Sequence, residues 1–241
     1  KIVCDRLEIK NISMTDADGI KVLDNITFTA RAGEILGKKR EDLKIVVCHL
    51  GNGASVTAVE NGKSIDTSMG LTPLDGIPMG TRCGDIDPGV VEFIAKKYDF
   101  TTSEAVNYCN KKSGMIGISG VSSDFRDIRG AADQGNHRAQ LALDIFAYSV
   151  KKYVGSYTAA LGGIDCLVFT AGVGENVGLI RSKVCKGLEY LGIEIDEDKN
   201  DQKNNGQITD LSKEGSKVKV LVVPTNEELV IARDTISVAF N

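Results

Sequence analysis

The sequence has no tryptophan and only two histidines among its 241 residues, and no apolar run reaches the ~18 residues that a membrane-spanning helix requires. Its six cysteines are scattered without a C-x-x-C pair, which together with so few histidines argues against a structural zinc site. The first ten residues lack the apolar stretch of a secretion signal. These absences predict a cytoplasmic chain that does not enter a membrane.

Charge and composition exclude further classes of protein. The 29 basic and 33 acidic residues give a net charge of −4, so the chain as a whole has no electrostatic attraction for nucleic acid or for an anionic membrane. An apolar fraction of 42% with 26% charged residues is ordinary for a globular protein and excludes disorder. The even number of cysteines would allow disulfides, but Cys48 and Cys166 lie in apolar runs, so we expect reduced thiols.

From residue 44 onward the pattern is typical of one α/β domain. A buried strand at 44–50 precedes alternating strands at 54–60 and 63–68, which flank the hairpin signal Asn61-Gly62. Asp87-Pro88 opens one helix, and the capping box Thr101-x-x-Glu104 opens the next. The other predicted elements are a helix at 136–161, a strand at 165–170, a glycine-rich turn at 171–176 followed by a helix to about 190, a least ordered stretch at 196–215, a strand at 217–223 and a helix at 227–239. This order predicts a mixed sheet covered by helices.

The first 43 residues have a different pattern. Apolar and polar residues alternate at 7–13 and again at 23–30, with a turn signal between them and no helical period. We therefore expect a short N-terminal β segment here.

Three glycine-containing segments are candidates for phosphate binding, since backbone N–H groups beside glycines can approach a ligand closely. The first is His49-Leu50-Gly51-Asn52-Gly53, which a plain structural hairpin would also explain. The second is residues 171–176, which lack the third glycine of a dinucleotide-binding fingerprint. The third is residues 79–85, where Arg82 stands between glycines and could simply pair with Asp85 or Asp87.

Two acidic residues and both histidines could also have purely structural roles. Asp124 precedes a helix and is a natural N-cap, which leaves Arg126 as a solvated or stacking side chain. Glu227 stands in the first turn of a predicted helix, where the helix dipole favours acids. His49 at a strand end is a candidate structural histidine, and His137 is a candidate surface residue.

Six segments taken together resemble one known family. They are HLGNGASV at 49–56, DTSMGLTPLDG at 66–76, MGTRCGDIDP at 79–88, SDFRDIR at 123–129, FTAGVGEN at 169–176 and PTNEELVIARDT at 224–235. With them, residues 44–241 resemble the carboxy-terminal nucleotide-binding domain of the acetate kinase family. Cys83 is a departure, because serine is common there in the family.

The resemblance implies a ribonuclease H-like domain of the acetate and sugar kinase, Hsp70 and actin superfamily, with a mixed sheet and helices on both faces. It also implies transfer of the γ-phosphoryl group from ATP to acetate with Mg²⁺, giving acetyl phosphate and ADP. Arg82 would stabilise the transferring phosphoryl group, Pro73 would line the acyl pocket, and Glu227 would be a Mg²⁺ ligand. The implied ATP contacts are His49, Leu50, Gly51, Asn52, Gly53, Asp124, Phe125, Arg126, Gly172, Val173, Gly174, Glu175 and Asn176.

Residues 7–37 instead resemble the opening β segment of an ABC transporter ATPase, without its Walker loop. We therefore expect residues 1–43 to be foreign to the acetate kinase family and residues 44–241 to form its nucleotide-binding domain. Because the family's amino-terminal domain is not recognisable in the sequence, we expect impaired catalysis. The alternatives are a non-catalytic nucleotide-binding or interaction module, or a relative that uses propionate or butyrate. We expect ATP or ADP, a small carboxylate and a second copy of the chain as partners.

Overall fold

The computed structural model describes residues 36–39, 42–202 and 205–225, together with the backbone of four short strands nearer the amino terminus. Of these, β1 (Arg6–Ile9) pairs antiparallel with β4 (Phe28–Arg31), and β2 (Met14–Thr15) pairs antiparallel with β3 (Lys21–Leu23). The expected N-terminal β segment therefore forms two small two-stranded sheets. The helix predicted at 227–239 lies outside the described residues.

A six-stranded mixed sheet organises the rest of the described chain. Strands β5, β6 and β7 form an antiparallel meander, β5, β8 and β10 run parallel, and β9 closes the far edge antiparallel to β10. The spatial order is β7-β6-β5-β8-β10-β9. The strands are β5 (Lys44–Leu50), β6 (Ala54–Glu60), β7 (Lys63–Thr67), β8 (Cys166–Thr170), β9 (Thr209–Asp210) and β10 (Lys219–Val222). The predicted mixed sheet is confirmed.

Eight helices are described in this part of the chain. They are α1 (Pro88–Tyr98), α2 (Thr102–Lys111), α3 (Gly114–Ser119), α4 (Phe125–Asp133), α5 (His137–Ala160), α6 (Ala171–Asn176), α7 (Gly178–Cys185) and α8 (Glu197–Asn200), with a 3₁₀ turn at Glu189–Leu191. Both predicted helix starts are present, since Asp87 accepts from the Gly89 N–H and Thr101 and Glu104 form a capping box. In the described part of the chain, no helix is long and apolar enough to cross a membrane.

Helix α5 forms because its sequence supplies an N-cap residue, apolar side chains at helical spacing and two glycines that end the helix. The Asn136 side chain accepts from the N–H groups of Arg138 and Ala139. Buried side chains then recur at helical spacing, including Phe146, which is 0% exposed. Full burial of one such side chain stabilises the fold by roughly 1.5–3 kcal/mol. The helix ends before two glycines in the left-handed region, at residues 162–163.

Alternation along β5 divides the core between the two faces of the sheet. Val46, Cys48 and Leu50 face the cluster that includes Phe146 of α5 and other helix side chains. Ile45 and Val47 face the opposite way with Val168 and Leu221, and Leu36 packs beside them. Both faces of the central strands are therefore buried, which explains the continuous apolar run at 44–50.

Two segments differ from the prediction. Residues 171–176, predicted as a glycine-rich turn, form the short helix α6. The stretch 196–215, predicted as the least ordered, contains helix α8 and edge strand β9. Strand β9 is held by the antiparallel pairing of Thr209–Asp210 with β10, a contact between distant segments that local composition does not reveal.

Candidate functional site

A cleft of about 700 Å³ opens where the adjacent parallel strands β5 and β8 end. Four segments meet there: the turn after β5, the loop before α1, the start of α4, and α6 after β8. The lining residues are Gly51, Asn52, Gly80, Ser123, Asp124, Phe125, Arg126, Arg129, Gly172, Val173, Asn176 and Val177. Ends of parallel strands at one edge of an α/β sheet are a common place for ligand binding.

The cleft brings together eight of the residues singled out from the sequence, namely Gly51, Asn52, Asp124, Phe125, Arg126, Gly172, Val173 and Asn176. Six others do not line it: His49, Leu50, Gly53, Arg82, Gly174 and Glu175 lie in the same segments beside it. Pro73 is buried away from the lining, and Glu227 lies outside the described residues.

The turn after β5 presents free backbone donors. The Gly51 N–H donates to the Gly53 carbonyl oxygen at 3.1 Å. The N–H groups of Asn52 and Gly53 have no acceptor among the described residues. A side chain at position 51 would lie 3.2 Å from the Gly53 oxygen, so glycine keeps this turn tight. Consecutive free N–H groups in a tight turn form an anion-binding concavity.

Arg82 extends over this turn without a carboxylate partner in the described part of the chain. Its Nη1 lies 3.5 Å from where a Cβ on Gly53 would stand, and it contacts the Met79 sulfur at 3.4 Å. Partial burial lowers the pKa of Arg82, but an arginine stays charged. The alternative that it pairs with Asp85 or Asp87 is wrong, because Asp85 accepts from Tyr153 and Asp87 caps α1.

The loop that carries Arg82 is fastened by the start of α3. The Met115 N–H donates to the Met79 carbonyl at 2.8 Å, and the Ile116 N–H donates to the Gly80 carbonyl at 3.0 Å. Gly114 has φ +58, and a methyl group there would overlap the carbonyl oxygens of Met79 and Arg82. Only glycine allows this approach, which sets the position of the loop.

Asp124 and Arg126 form an ion pair at the rim of the cleft. Asp124 caps α4 by accepting from the Arg126 N–H at 2.8 Å, and its carboxylate also accepts from Arg126 Nη2 at 2.6 Å. These contacts lower the pKa of Asp124 to about 2. The structural roles considered from the sequence therefore apply, since Asp124 is an N-cap and Arg126 is solvated. Both side chains nevertheless also line the cleft. Phe125 lies between them, and its ring packs edge-on against Phe146 at 4.6 Å.

A buried arginine supports α6 from behind. Arg181 is 3% exposed, and its Nη1 donates to the carbonyls of Gly174 and Glu175 at 2.8 and 2.9 Å. Its Nε donates to the Asn200 side chain at 2.7 Å. Ala171 at the start of α6 has φ +64, a strained conformation for a residue with a side chain. The segment is thus held by specific contacts rather than by helix propensity.

Three buried polar side chains lie in register across the strand ends. Ser55, His49 and Thr170 are paired neighbours on β6, β5 and β8, and each has a side-chain atom with no partner among the described residues. Burial lowers the pKa of His49 to about 4, so the imidazole is neutral at physiological pH. Burial therefore disfavours the cationic form of His49 at this position.

The described residues show no cluster of carboxylates that marks a magnesium site. In residues 36–39, 42–202 and 205–225, no group of three or more His, Cys, Asp or Glu is placed to hold a metal. Asp124 is the carboxylate that lines the described cleft, and it is already engaged by Arg126. The predicted ligand Glu227 lies outside this part, so the Mg²⁺ site stays a prediction.

Comparison with known proteins identifies the family. The profile of the acetokinase family matches residues 25–233. The chain belongs to the acetokinase family. It is 55% identical over 210 residues to acetate kinase 2 of Clostridium perfringens, covering 87% of this chain and 52% of that protein. It is 58% identical over 207 residues to acetate kinase of Treponema denticola, covering 86% of this chain and 52% of that protein. The chain thus spans about half the length of the curated relatives it matches.

Solved structures of acetokinases show the same fold. The crystal structure of Porphyromonas gingivalis acetate kinase superposes with a TM-score of 0.81 at 49% identity, covering 87% of this chain and 52% of that chain. A propionate kinase from Francisella tularensis superposes with a TM-score of 0.75 at 41% identity, covering 86% of this chain and 55% of that chain. The α/β ribonuclease H-like kinase fold expected from the acetokinase motifs is confirmed.

Four cleft residues were not among the individual site residues predicted from the sequence, namely Gly80, Ser123, Arg129 and Val177. The first three lie inside motifs that resemble the acetokinases, so motif membership was the available signal. A side chain at Gly80 would lie 3.1 Å from both Asn52 Oδ1 and the Ser123 carbonyl oxygen. This contact joins three segments distant in sequence, which explains why only the structure reveals it.

Proposed function

We propose that this chain carries the nucleotide-binding half of an acetate kinase-type site, which transfers the γ-phosphoryl group of ATP to acetate and yields acetyl phosphate and ADP. The observation that carries the proposal is the Arg82 guanidinium, free of carboxylates in the described residues and lying over the turn at 51–53. A cation lying over two free N–H groups beside the cleft forms an arrangement suited to phosphate.

In the proposed reaction, an acetate oxygen attacks the γ-phosphorus while the bond to the bridging oxygen breaks, and ADP leaves with the electron pair. Charge on the equatorial oxygens of the transferring group would be stabilised by Arg82, whose planar fork suits phosphate oxygens. The Asn52 and Gly53 N–H groups would hold the phosphate chain. Bound Mg²⁺, with Glu227 as its predicted ligand, would neutralise phosphate charge.

The adenosine is proposed to lie along the other wall of the cleft. Arg126 is exposed there, with 88% of its side chain accessible, and its guanidinium is held by Asp124. A flat guanidinium oriented by a carboxylate is suited to stack on a purine base. The glycine at 172 has open space around it, so a nucleotide can approach the backbone of α6 closely.

A homodimer is part of the proposal. Helix α1 has no buried side chain, and Phe93 on it is 61% exposed. An exposed apolar helix face supports association with a second copy of the chain. The proposed compartment is the cytoplasm, where ATP is available.

The test is hydroxylamine trapping of acyl phosphate by the purified 241-residue chain with Mg-ATP, using acetate and propionate in parallel. Propionate is included because the Francisella relative is named a propionate kinase. Arg82→Ala should abolish the acyl phosphate signal and leave ADP affinity within about twofold, while Arg126→Ala should weaken ADP binding about tenfold. Equal loss of binding and turnover in Arg82→Ala would contradict the assigned role. Saturable ADP binding without acyl phosphate formation would favour the non-catalytic alternative.

A further inference from the structure

Cys83 directly follows Arg82, and its backbone contacts that of a second cysteine. Its backbone N–H donates to the carbonyl oxygen of Cys109 on α2 at 2.9 Å. This bond brings the main chains of the two residues into direct contact, and a disulfide requires such proximity, with Cα atoms ~4.4–6.8 Å apart.

The Cys109 side chain also acts on the Cys83 thiol. Burial, and after it the neighbouring Cys109 thiol, raises the pKa of Cys83 to about 11. The Cys83 thiol donates to the Gly84 carbonyl at 3.1 Å, and both cysteines are free thiols in this structure.

Accessibility separates Cys83 from the other described cysteines. Cys83 is partly exposed, whereas Cys109 is 1% exposed. Cys48, Cys166 and Cys185 are all buried in the core. A dissolved oxidant therefore reaches Cys83 first, and the Cys109 thiol is the nearest group able to respond.

We propose that Cys83 and Cys109 are a redox modification site that forms a reversible disulfide beside Arg82. With hydrogen peroxide as oxidant, the thiolate form of Cys83, a small fraction below its pKa of about 11, attacks one peroxide oxygen, which yields a sulfenic acid and hydroxide. The Cys109 sulfur then attacks the Cys83 sulfur, so that the S–S bond forms, the S–O bond breaks and water leaves. In total, two thiols are oxidised to one disulfide and one peroxide is reduced to two waters.

The disulfide would connect the Arg82 loop covalently to α2. In the thiol form this loop depends on hydrogen bonds to α2 and α3, including those from Cys83 and Met115. The modification does not depend on the proposed phosphotransferase activity, since it requires only the two thiols and an oxidant. Reduction by a dithiol would restore the starting state.

The experiment exposes the full 241-residue chain to excess hydrogen peroxide and maps its peptides without reduction. We expect the intact mass to fall by about two hydrogens, a peptide pair joined through Cys83 and Cys109, and full reversal by dithiothreitol. In Cys109→Ser the disulfide should be absent, and dimedone should label Cys83 as a sulfenic acid. Cys185→Ser, a matched change at another buried cysteine, should keep the Cys83–Cys109 disulfide.

Three results would overturn the proposal. One is oxidation of wild-type Cys83 to sulfinic acid with no disulfide. Another is a disulfide that joins Cys83 to a different cysteine, Cys4 included. The third is a mass loss that persists in Cys109→Ser. Because the wild-type peptide map is decisive by itself, poor folding of a variant would not leave the proposal untested.

Discussion

Replacement of Gly114 by alanine tests whether close backbone contact sets the position of the Arg82 loop. Gly114 has φ +58, where alanine costs about 1–2 kcal/mol. The added methyl would also overlap two carbonyl oxygens and lie 2.9 Å from the Arg82 nitrogen. Relief requires the loop to move away from α3, which loses the hydrogen bonds from Met115 and Ile116 at about 1 kcal/mol each. We therefore expect a loss of about 3–4 kcal/mol of unfolding free energy.

The matched control is Gly135→Ala. Gly135 has φ +88 and no atom near the position of a methyl group, so it isolates the conformational cost. Urea unfolding monitored by circular dichroism measures both variants, and we expect a loss of about 1–2 kcal/mol for Gly135→Ala. Equal destabilisation by the two substitutions would refute the reasoning. Failure of Gly114→Ala alone to fold would agree with it.

Two further predictions concern the buried His49 and the partly exposed contact between Tyr153 and Asp85. Because His49 has a pKa of about 4 when folded and 6.5 as its ordinary value, the unfolded chain binds more protons between these pH values. The contribution of neutral His49 to the free energy of unfolding should therefore be fully present above about pH 6.5 and fall by at most about 3 kcal/mol towards pH 4. In urea unfolding at several pH values, His49→Gln should remove this part of the pH dependence. An unchanged profile would contradict the assignment. Tyr153→Phe removes hydrogen bonds of 3.0 and 2.9 Å to Asp85 and should cost about 1 kcal/mol in the same assay, whereas Tyr148→Phe at an exposed position should cost almost nothing; equal effects would show that the Asp85 contact does not stabilise the loop.

Local sequence signals predicted the helices and strands well where the apolar period and the turn or cap residues indicate the same element. The strand at 44–50, the hairpin around Asn61-Gly62 and the long helix ending near residue 161 all appear within one or two residues of their predicted bounds. In each case, an apolar period and a turn or cap residue agree. The acetokinase motifs likewise identified segments that the structure brings to one cleft.

Contacts between distant residues were not predictable in the same way. Asp85 accepts a hydrogen bond from Tyr153, which lies 68 positions away in the sequence. The sequence alone could not show this contact, so Asp85 was a candidate partner of Arg82. Residues 171–176 fold as a helix although they contain two glycines, because Arg181 and the end of β8 hold them. Tertiary contacts determine the conformation and the partners of such residues, and helix propensity over a short window cannot predict those contacts.

The most direct test of the account is a titration of the ¹⁵N-labelled chain with ADP, followed by NMR. The account predicts that the amide signals of Asn52 and Gly53 shift saturably, together with those of Gly172 and Arg126 at the cleft. The contradicting result is a set of shifts confined to the shallow groove of about 420 Å³ lined by Tyr148, Lys151 and Lys183, with the turn at 51–53 unaffected. That outcome would place the nucleotide away from Arg82 and remove the basis of the proposed phosphoryl transfer.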